Sequence, residues 1–318
     1  MKKQIFIFFL IPLTLFGQTG NIRLFNSKNS PLLAHKITST TTDNNIVWIG
    51  TLEGLYKFDG VNWEFLTMEN TDLPSNKILC LGKLNDKIYI GTSKGLVVVS
   101  ENNWSVYNNE NSNLPANKIR RIKQDNNGVI WIATSKGLVK KTDRFEIVLS
   151  KVLSGVNDDD FISLAIDKNN KKWLGTNTGI YSYKEGIWRL YNTNNSLLPD
   201  NHIWSIGVDD NVWVGTRKGV ANYIDSENVW LIYNKKNSPL KTNLIKSLVF
   251  DGYDRLWVGT SKGILTFDGE EWKRHKIWRG TKEVYSIFID ENDNKWIGSK
   301  QALYLYNQEG VDFMQQIK

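Results

Sequence analysis

The sequence has little of the residue types that form disulfides, metal centres and catalytic sites. Its one cysteine, Cys80, cannot form an intrachain disulfide, so the fold must be stabilised by its core. We expect Cys80 to be a buried strand residue, since no neighbour that would activate the thiol is evident. Three scattered histidines, His35, His202 and His275, are too few for a metal cage. No nucleophile elbow, phosphate loop or zinc spacing occurs, so we predict no enzyme, no metal and no cofactor.

Long apolar runs are equally scarce. Residues 5–16 form a nearly unbroken apolar run that follows Lys2 and Lys3 and precedes Gly17. This pattern predicts an export signal at residues 1–17, because the run is too short to span a bilayer. No second run of spanning length follows. We therefore expect a periplasmic or extracellular protein that does not span the membrane.

A segment that recurs seven times predicts the fold. The copies begin at Trp48, Tyr89, Trp131, Trp173, Trp213, Trp257 and Trp296, with sequences such as Trp-Ile-Gly-Thr. Their spacings of 41, 42, 42, 40, 44 and 39 residues give the period of propeller blades. Each period contains four short β-rich runs separated by Gly, Asn and Asp turns. We predict an all-β chain, with residues 18–318 forming one seven-bladed β-propeller of four-stranded antiparallel blades.

Closure of the ring has two solutions in the sequence. Residues 21–26 resemble the fourth strand of a blade, and so do residues 311–317, which makes eight candidates for seven places. We favour the N-terminal strand as the one that completes the last blade, because it links the two ends of the chain. The C-terminal strand is the alternative.

These motifs resemble the two-component regulator propeller repeat over essentially the whole mature chain. The resemblance includes Trp-Ile-Gly-Thr-x-x-Gly-Leu and the upstream Asn-x-x-Leu-Pro-x-Asn-x-Ile at residues 70–78 and 111–119. It implies a propeller like the periplasmic sensor part of hybrid two-component receptors, which often respond to polysaccharide fragments. This sequence has no transmembrane, kinase or DNA-binding region, and it also resembles stand-alone propellers of secretion and cell-surface assemblies.

The turns predict two oppositely charged ends of the propeller. Turns after strands two and four of a blade lie at one end, which we call the basic face. Its lysines include Lys36, Lys77, Lys94, Lys118, Lys136 and Lys262. The other end, the acidic face, carries residues such as Asp59, Asp125, Asp268 and Asp290. With a net charge of +7, this distribution favours an anionic partner, although ordinary solvated loop charges would give the same pattern.

A few residues depart from the repeat and are candidate ligand contacts. Trp204 aligns with Arg120 and Tyr285 near the start of an inner strand, and Trp278 lies in a loop before the last one. Arg121 replaces the serine or cysteine of the other blades. The run Asp158-Asp159-Asp160 enters the fourth blade, where an ion pair with Arg120 or Arg121 is the simplest interpretation. The predicted ligand contacts, centred on blades three to five, are Arg120, Arg121, Trp204, His202, Trp278, Tyr285, Lys77, Lys118, Lys94, Lys136 and Lys262.

Three functions are compatible with this pattern. The first is a binding or sensing module for an anionic glycan, another carbohydrate or an envelope component. The second is a scaffold with a protein partner in an envelope or secretion complex. The third is an enzyme resembling the streptogramin lyase propellers, which would require a histidine pair at the channel mouth. Only His202, and His35 as a weaker candidate, lies near that position. We expect a monomer, and export makes nucleic acid an unsuitable partner.

Overall fold

The protein is an all-β propeller of seven four-stranded antiparallel blades, as the repeat predicts. The computed structural model describes residues 22–33, 36–101, 103–275 and 283–308, which contain 28 strands and one four-residue helix. The predicted export signal at residues 1–17 lies outside the described residues. Among those described, no helix has the length and apolar character needed to cross a membrane.

Each blade begins with its innermost strand and proceeds outward. The first three blades are β2 (Ile37–Asp43), β3 (Ile46–Thr51), β4 (Leu55–Phe58), β5 (Trp63–Leu66); β6 (Ile78–Leu84), β7 (Lys87–Thr92), β8 (Leu96–Ser100), β9 (Asn103–Tyr107); and β10 (Ile119–Gln124), β11 (Ile130–Thr134), β12 (Gly137–Lys141), β13 (Phe145–Leu149). Helix α1 (Lys151–Ser154) follows, capped by the Ser150 hydroxyl.

The remaining blades repeat this order. Blades four to six are β14 (Ser163–Ile166), β15 (Lys172–Gly175), β16 (Ile180–Lys184), β17 (Ile187–Tyr191); β18 (Ser205–Val208), β19 (Val212–Gly215), β20 (Val220–Ile224), β21 (Val229–Tyr233); and β22 (Ile245–Phe250), β23 (Leu256–Thr260), β24 (Gly263–Phe267), β25 (Trp272–His275). Blade seven is β26 (Val284–Ile289), β27 (Lys295–Ser299), β28 (Ala302–Tyr306) and, outermost, β1 (Ile22–Asn26).

The N-terminal strand closes the ring. β1 pairs antiparallel with β28, from Ile22 opposite Tyr306 to Asn26 opposite Ala302. Phe25 is buried on this strand, and its ring lies 5.3 Å from Phe58 and 5.7 Å from Trp63 of blade one. The prediction that the N-terminal strand completes the last blade is thus confirmed. The alternative strand at residues 311–317 lies outside the described residues.

Aromatic side chains fill the spaces between blades. The second-strand tryptophan of one blade meets a third-strand aromatic of the next: Trp173 lies 5.8 Å from Tyr223, and Trp213 lies 5.5 Å from Phe267. One face of a sheet cannot bury its apolar side chains alone, so neighbouring blades provide the other half of each core layer. The predicted packing of tryptophans between blades is therefore confirmed for these pairs.

Aspartates at the ends of inner strands hold these tryptophans in place. In four blades the carboxylate accepts the indole N–H of the tryptophan six residues later. The pairs are Asp125–Trp131 at 2.7 Å, Asp167–Trp173 at 3.0 Å, Asp251–Trp257 at 2.8 Å and Asp290–Trp296 at 2.9 Å. The same carboxylates accept backbone N–H groups of the following turn, as Asp125 does from Asn127 and Val129. These acidic residues therefore have a structural role that a solvated loop charge would not have.

The motif shared with the repeat family stabilises the loop between blades. Asn70 accepts from the Thr67 N–H at 2.7 Å and donates to the Phe65 carbonyl at 2.9 Å. Asn76 accepts from the Met68 N–H at 2.7 Å. Asparagine amides thus add to the few backbone bonds of this loop, such as the one from the Thr71 N–H to the Thr67 carbonyl. The same bonds recur in the loops before β10, β18 and β22, where they position the start of the inner strand at the basic face.

Candidate functional site: the channel mouth on the basic face

The innermost strands surround the central channel, and a β-bulge lies at the start of five of them. The register shifts between residues 37 and 39, 78 and 80, 119 and 121, 245 and 247, and 284 and 286. A bulge redirects a side chain out of the regular alternation of a strand. Together with the two residues that directly precede β14 and β18, the bulged positions form a ring of seven at the channel mouth: Thr38, Leu79, Arg120, Ile162, Trp204, Lys246 and Tyr285.

An aromatic and cationic cluster occupies one side of this mouth. The Nζ atoms of Lys36 and Lys246 lie 4.3 Å and 4.2 Å from the centroid of the Tyr285 ring. Lys246 Nζ is also 5.7 Å from the Trp204 ring. Glu283 pairs with Lys246 and accepts the Tyr285 hydroxyl at 2.7 Å. We call these five residues the mouth cluster.

Electrostatics within the mouth cluster show that its cations are crowded. Burial lowers the pKa of Lys36, and the positive charges of Lys246 and Arg121 lower it further, while Glu283 acts in the opposite direction. Burial and the hydrogen bond to Glu283 raise the pKa of Tyr285 to about 12, so its hydroxyl remains a donor at neutral pH. The cluster thus has two ammonium groups for one carboxylate, and an additional negative charge would relieve their repulsion.

Arg120 and the aspartate run of blade four form the ion pair that the sequence suggests. Arg120 donates from Nε and Nη2 to the Asp160 carboxylate at 2.9 and 2.5 Å. Asp158 accepts from the Asp160 and Asn177 N–H groups, and Asp159 accepts from that of Lys151. The Arg120–Asp160 pair therefore brings no net charge to the mouth. That Arg120 contacts a ligand remains a prediction, which this pairing weakens.

Arg121 lies on the inner strand where the other blades have a small residue. In those blades serine or cysteine faces a glycine of the second strand, and a Cβ on Gly175 would lie 2.2 Å from Ser163 Oγ. Blade three has Ala133 at the glycine position, paired with Arg121. By analogy with Gly175, a methyl group at Ala133 would crowd a serine at position 121. Arg121 instead donates to the Arg120 carbonyl at 2.7 Å, along its own strand.

His202 and Trp204 are neighbours at the mouth of blade five. Their rings meet edge to face, with centroids 5.3 Å apart. The backbone N–H of Trp204 donates to the Gly215 carbonyl. Burial lowers the pKa of His202, and the positive charge of Arg217 adds to the effect. His202 is therefore neutral at pH 7 and suits hydrogen bonding better than anion pairing.

Of the predicted rim lysines, Lys118 is half-buried and the other four are exposed. The Ser93 N–H bonds to the Lys77 carbonyl, and the Ser135 N–H bonds to the Lys118 carbonyl. These bonds connect each turn after strand two to the loop that enters the same blade, so Lys94 is adjacent to Lys77. The full set of rim lysines is Lys77, Lys94, Lys118, Lys136 and Lys262, and none forms an ion pair with a described residue.

The structure and the sequence differ on which residues form the cluster. Sequence reasoning placed the unusual residues at blades three to five, whereas the linked contacts run from Trp204 of blade five through blades six and seven to Lys36 before blade one. Lys36, Lys246 and Glu283 were not among the predicted contacts, although Lys36 was placed on the basic face. Lys246 had a signal, because it aligns with Trp204 and Tyr285. The predicted contact Trp278, together with His35, lies outside the described residues.

His275 and the residues of the acidic face lie away from the mouth. His275 is on the outermost strand of blade six, where its ring stacks on that of Trp257 at 4.9 Å. Burial, with a smaller effect of nearby positive charges, lowers the pKa of His275 to about 4. Among the described residues no group of three His, Cys, Asp or Glu side chains could hold a metal. At the acidic face, a cavity of about 210 Å³ between blades seven and one is lined by residues that include Asp43, Lys83 and Asp290.

Comparison with known proteins agrees with this architecture. Residues 113–136, which include β10 and β11, match the family described as two component regulator propeller. The match covers one copy of the repeat, 24 of the 318 residues. The resemblance predicted from the sequence motifs is thus confirmed. A search of the curated proteins finds no match.

Solved structures of three kinds share the fold of this repeat protein. The extracellular domain described as part of a hybrid two-component system from B. thetaiotaomicron is 18% identical with a TM-score of 0.73, covering 87% of this chain and 42% of that one. Virginiamycin B lyase from Staphylococcus aureus is 15% identical with a TM-score of 0.70, covering 89% and 98%. YCF48 bound to D1 peptide is 15% identical with a TM-score of 0.69, covering 93% and 97%.

These likenesses show the fold alone, because all three identities are low. The chain spans about two fifths of the length of the B. thetaiotaomicron domain.

Proposed function

We propose that this chain is an exported, non-catalytic binding or sensing module that recognises an anionic or carbohydrate ligand at the channel mouth of its basic face. One observation carries the proposal: Lys36 and Lys246 lie 4.3 and 4.2 Å from the Tyr285 ring and share a single carboxylate, Glu283. A ligand that supplies a second negative charge would complete this arrangement.

The physical setting favours such a ligand. A narrow opening with walls of low dielectric constant concentrates the field of its charges and raises the local concentration of an oppositely charged ligand. The rim lysines extend the positive potential outward over blades two, three and six. Half-buried Trp204 offers an aromatic surface beside Lys246, which suits stacking on a flat apolar face of a ligand such as a sugar ring.

The comparisons support a sensing role without identifying a ligand. A similar fold forms the extracellular domain of a protein described as a hybrid two-component system. The repeat family and the absence of a described histidine pair at the mouth favour binding over catalysis. An envelope location follows from the predicted export signal and agrees with the extracellular relative. A lyase-like activity is the weakest alternative, and it rests only on the fold that this chain shares with the Staphylococcus aureus lyase.

A scaffold function is the second candidate, and one observation favours it. Helix α1 exposes 93% of Val152 and 63% of Leu153, and Leu197 in the next loop is 72% exposed. Apolar side chains grouped in the loops between blades suit a protein partner more than a small anion. The structure of YCF48 with D1 peptide provides a precedent for a propeller of this fold that holds a peptide.

Binding of the purified chain to neutral and acidic oligosaccharides at low and moderate salt tests the first candidate. We expect acidic members to bind, with affinity that falls as salt rises. The double variant Lys36→Gln/Lys246→Gln should weaken binding at least tenfold, and Lys94→Glu/Lys136→Glu/Lys262→Glu should slow association. The matched control is Lys168→Gln on the acidic face, where the lysine pairs with Asp210.

Each outcome of this experiment separates the candidates. Unchanged affinity in the mouth and rim variants, with the fold intact, would contradict recognition by the basic face. Failure of every oligosaccharide to bind would favour the scaffold, and crosslinking of the wild type and of a Val152→Ser/Leu153→Ser variant would then test for a protein partner that needs helix α1.

A further inference from the structure

The innermost strands of the propeller carry an excess of positive charge. They contain five basic residues and one acidic residue, Asp43. The basic residues are Lys83, Arg120, Arg121, Lys123 and Lys246. Lys83 pairs with Asp43 at 3.0 Å, Arg120 with Asp160 and Lys246 with Glu283. Within the described part of the chain, Arg121 and Lys123 have no carboxylate partner.

Both unpaired cations belong to blade three and depart from the repeat together. The residues of the other six blades equivalent to Arg121 are Ser39, Cys80, Ser163, Ser205, Ser247 and Ser286. Those equivalent to Lys123 are Thr41, Gly82, Ala165, Gly207, Val249 and Phe288. Every one of these is uncharged. The requirements of the fold at these positions are therefore met without charge, and packing does not account for two cations.

Arg121 and Lys123 lie on the same side of β10, two residues apart and beyond the bulge. They pair in register with Ala133 and Trp131 of β11. Side chains two residues apart on a strand point the same way, so both cations project from one side of an innermost strand that borders the channel. Lys123 is exposed there and Arg121 is half-buried. Arg121 uses Nη1 on the Arg120 carbonyl and retains further N–H donors.

The surroundings of these two groups disfavour their charges. The protein around the channel displaces water from both groups and so lowers the pKa of Arg121 and of Lys123, although Lys123 remains exposed to the channel. The positive charge of Arg121 lowers the pKa of Lys123 further. The Cys80 thiol of blade two lies close enough to interact with both cations, but burial raises its pKa to about 11, so it is neutral at pH 7 and supplies no counter-charge. A partly desolvated cation without a counter-charge is unfavourable, and a mobile anion can supply that charge.

We propose that Arg121 and Lys123 form an anion-binding site inside the channel, beside blade three, for a small oxyanion or a carboxylate group. A planar guanidinium with free N–H donors binds the two oxygens of such a group, and the neighbouring ammonium adds a point charge. The site differs in residues from the mouth cluster, and it does not require that the mouth bind a larger ligand. Sulfate, phosphate and a carboxylate sugar such as glucuronate share the chemistry that it recognises.

Thermal unfolding of the full chain with these three probes tests the site. Each anion is added from 0 to 10 mM at constant ionic strength, balanced with chloride. We expect the midpoint to rise by about 3 °C at an anion concentration tenfold above its dissociation constant. Comparison of the inorganic anions with glucuronate shows which source of the negative group the site prefers.

Two variants connect the effect to blade three. Arg121→Ser/Ala133→Gly restores the pair found in five other blades, and Lys123→Thr introduces the residue of blade one. Both should fold, lose at least tenfold in anion affinity and, without added anion, match or exceed the wild type in midpoint because an unpaired cation is gone. Arg121→Gln keeps most of the side-chain length and should show the same loss of anion affinity. It provides the test in case the restored Ser–Gly pair disturbs packing.

The controls keep the proposal falsifiable. Lys94→Ser removes a cation from the rim and should retain the full anion-dependent rise. An equal rise in the wild type and in all three channel variants would overturn the proposal, because it would reflect general effects of the salts. No rise in the wild type would also overturn it. Neither result bears on oligosaccharide binding through Lys36 and Lys246, which is measured separately.

Discussion

Replacement of Asp251 by alanine tests whether the aspartate–tryptophan bonds hold the blades together. The Asp251 side chain has 0% exposure and accepts from Trp257 Nε1 at 2.8 Å and Arg255 Nε at 2.9 Å. It also accepts backbone N–H groups of Tyr253 and Arg255, both at 3.0 Å. Alanine leaves the Trp257 N–H buried without its partner and removes the acceptor that shapes the turn.

The expected loss follows from these contacts. A hydrogen bond to a charged group contributes about 1.5–3 kcal/mol, and a buried unsatisfied donor costs about 1–3 kcal/mol. Arg255 and the turn N–H groups can turn to water, so the sum falls short of four independent bonds. We expect Asp251→Ala to lower the free energy of unfolding by about 3–5 kcal/mol, which lowers the midpoint by about 6–10 °C. Calorimetry and denaturant unfolding measure both quantities.

The pH dependence gives a second readout of the same contacts. Burial alone would raise the pKa of Asp251, but hydrogen bonds from Trp257, Arg255 and Tyr253 outweigh it and lower the pKa. A lowered carboxyl pKa in the folded state contributes stability above the unfolded value, and that contribution is lost as pH falls through the folded value. The stability difference between wild type and Asp251→Ala should therefore be constant above about pH 5 and shrink below about pH 4.

A matched aspartate provides the control. Asp210 is 81% exposed and pairs with Lys168 at the surface, so Asp210→Ala should cost less than about 0.5 kcal/mol. If Asp251→Ala cost no more than Asp210→Ala, the reasoning that assigns these aspartates to the structure would be refuted. The acidic residues would then be available as an ordinary charged surface.

Three further predictions concern the ring, the blade spacing and the thiol. Phe25→Ala should reduce the free energy of unfolding by about 3–5 kcal/mol, because Phe25 packs against blade one where the ring closes; denaturant unfolding that shows a loss below 1 kcal/mol would count against closure by β1. Gly175→Ala should cost about 1–3 kcal/mol, since its Cβ would lie 2.2 Å from Ser163 Oγ and 2.6 Å from Ile203, and a neutral effect on the midpoint would contradict the close approach. Cys80 should resist an aromatic disulfide reagent at pH 8 until the protein unfolds, because burial raises its pKa to about 11; rapid labelling of the native protein would disagree.

The repeat was sufficient to predict the fold because each copy carries its own strand and turn signals. The order of strands and the seven blades follow from the period. The N-terminal strand was favoured over residues 311–317 because it links the two ends of the chain, and the structure has it in the last blade. Burial of Cys80 was also predictable, since its equivalents are small inner-strand residues. These features depend on local sequence patterns that recur in every blade. Such a pattern can be recognised in the sequence without knowledge of tertiary contacts.

The channel mouth was predicted only in part, because its contacts cross blades. Trp204 and Tyr285 could be singled out by alignment, but Lys36 and Glu283 are ordinary loop charges until the bulge at Tyr285 brings them together. The hydrogen bonds that tryptophan indoles donate to Asp125 and Asp290 were missed for a related reason. They join residues six apart through strand pairing, so the sequence shows only a row of acidic turns.

Mapping of ligand contacts by lysine NMR tests the central claim most directly. Reductive ¹³C-dimethylation labels every lysine and keeps its charge, and single Lys→Arg variants assign the signals. On titration with an acidic oligosaccharide, we predict shifts at Lys36 and Lys246 first and smaller shifts at Lys94 and Lys136. Signals of Lys168 and Lys184 at the acidic face should stay unchanged. Shifts confined to the acidic face, or none at Lys36 and Lys246 with a ligand that binds, would contradict recognition at the channel mouth.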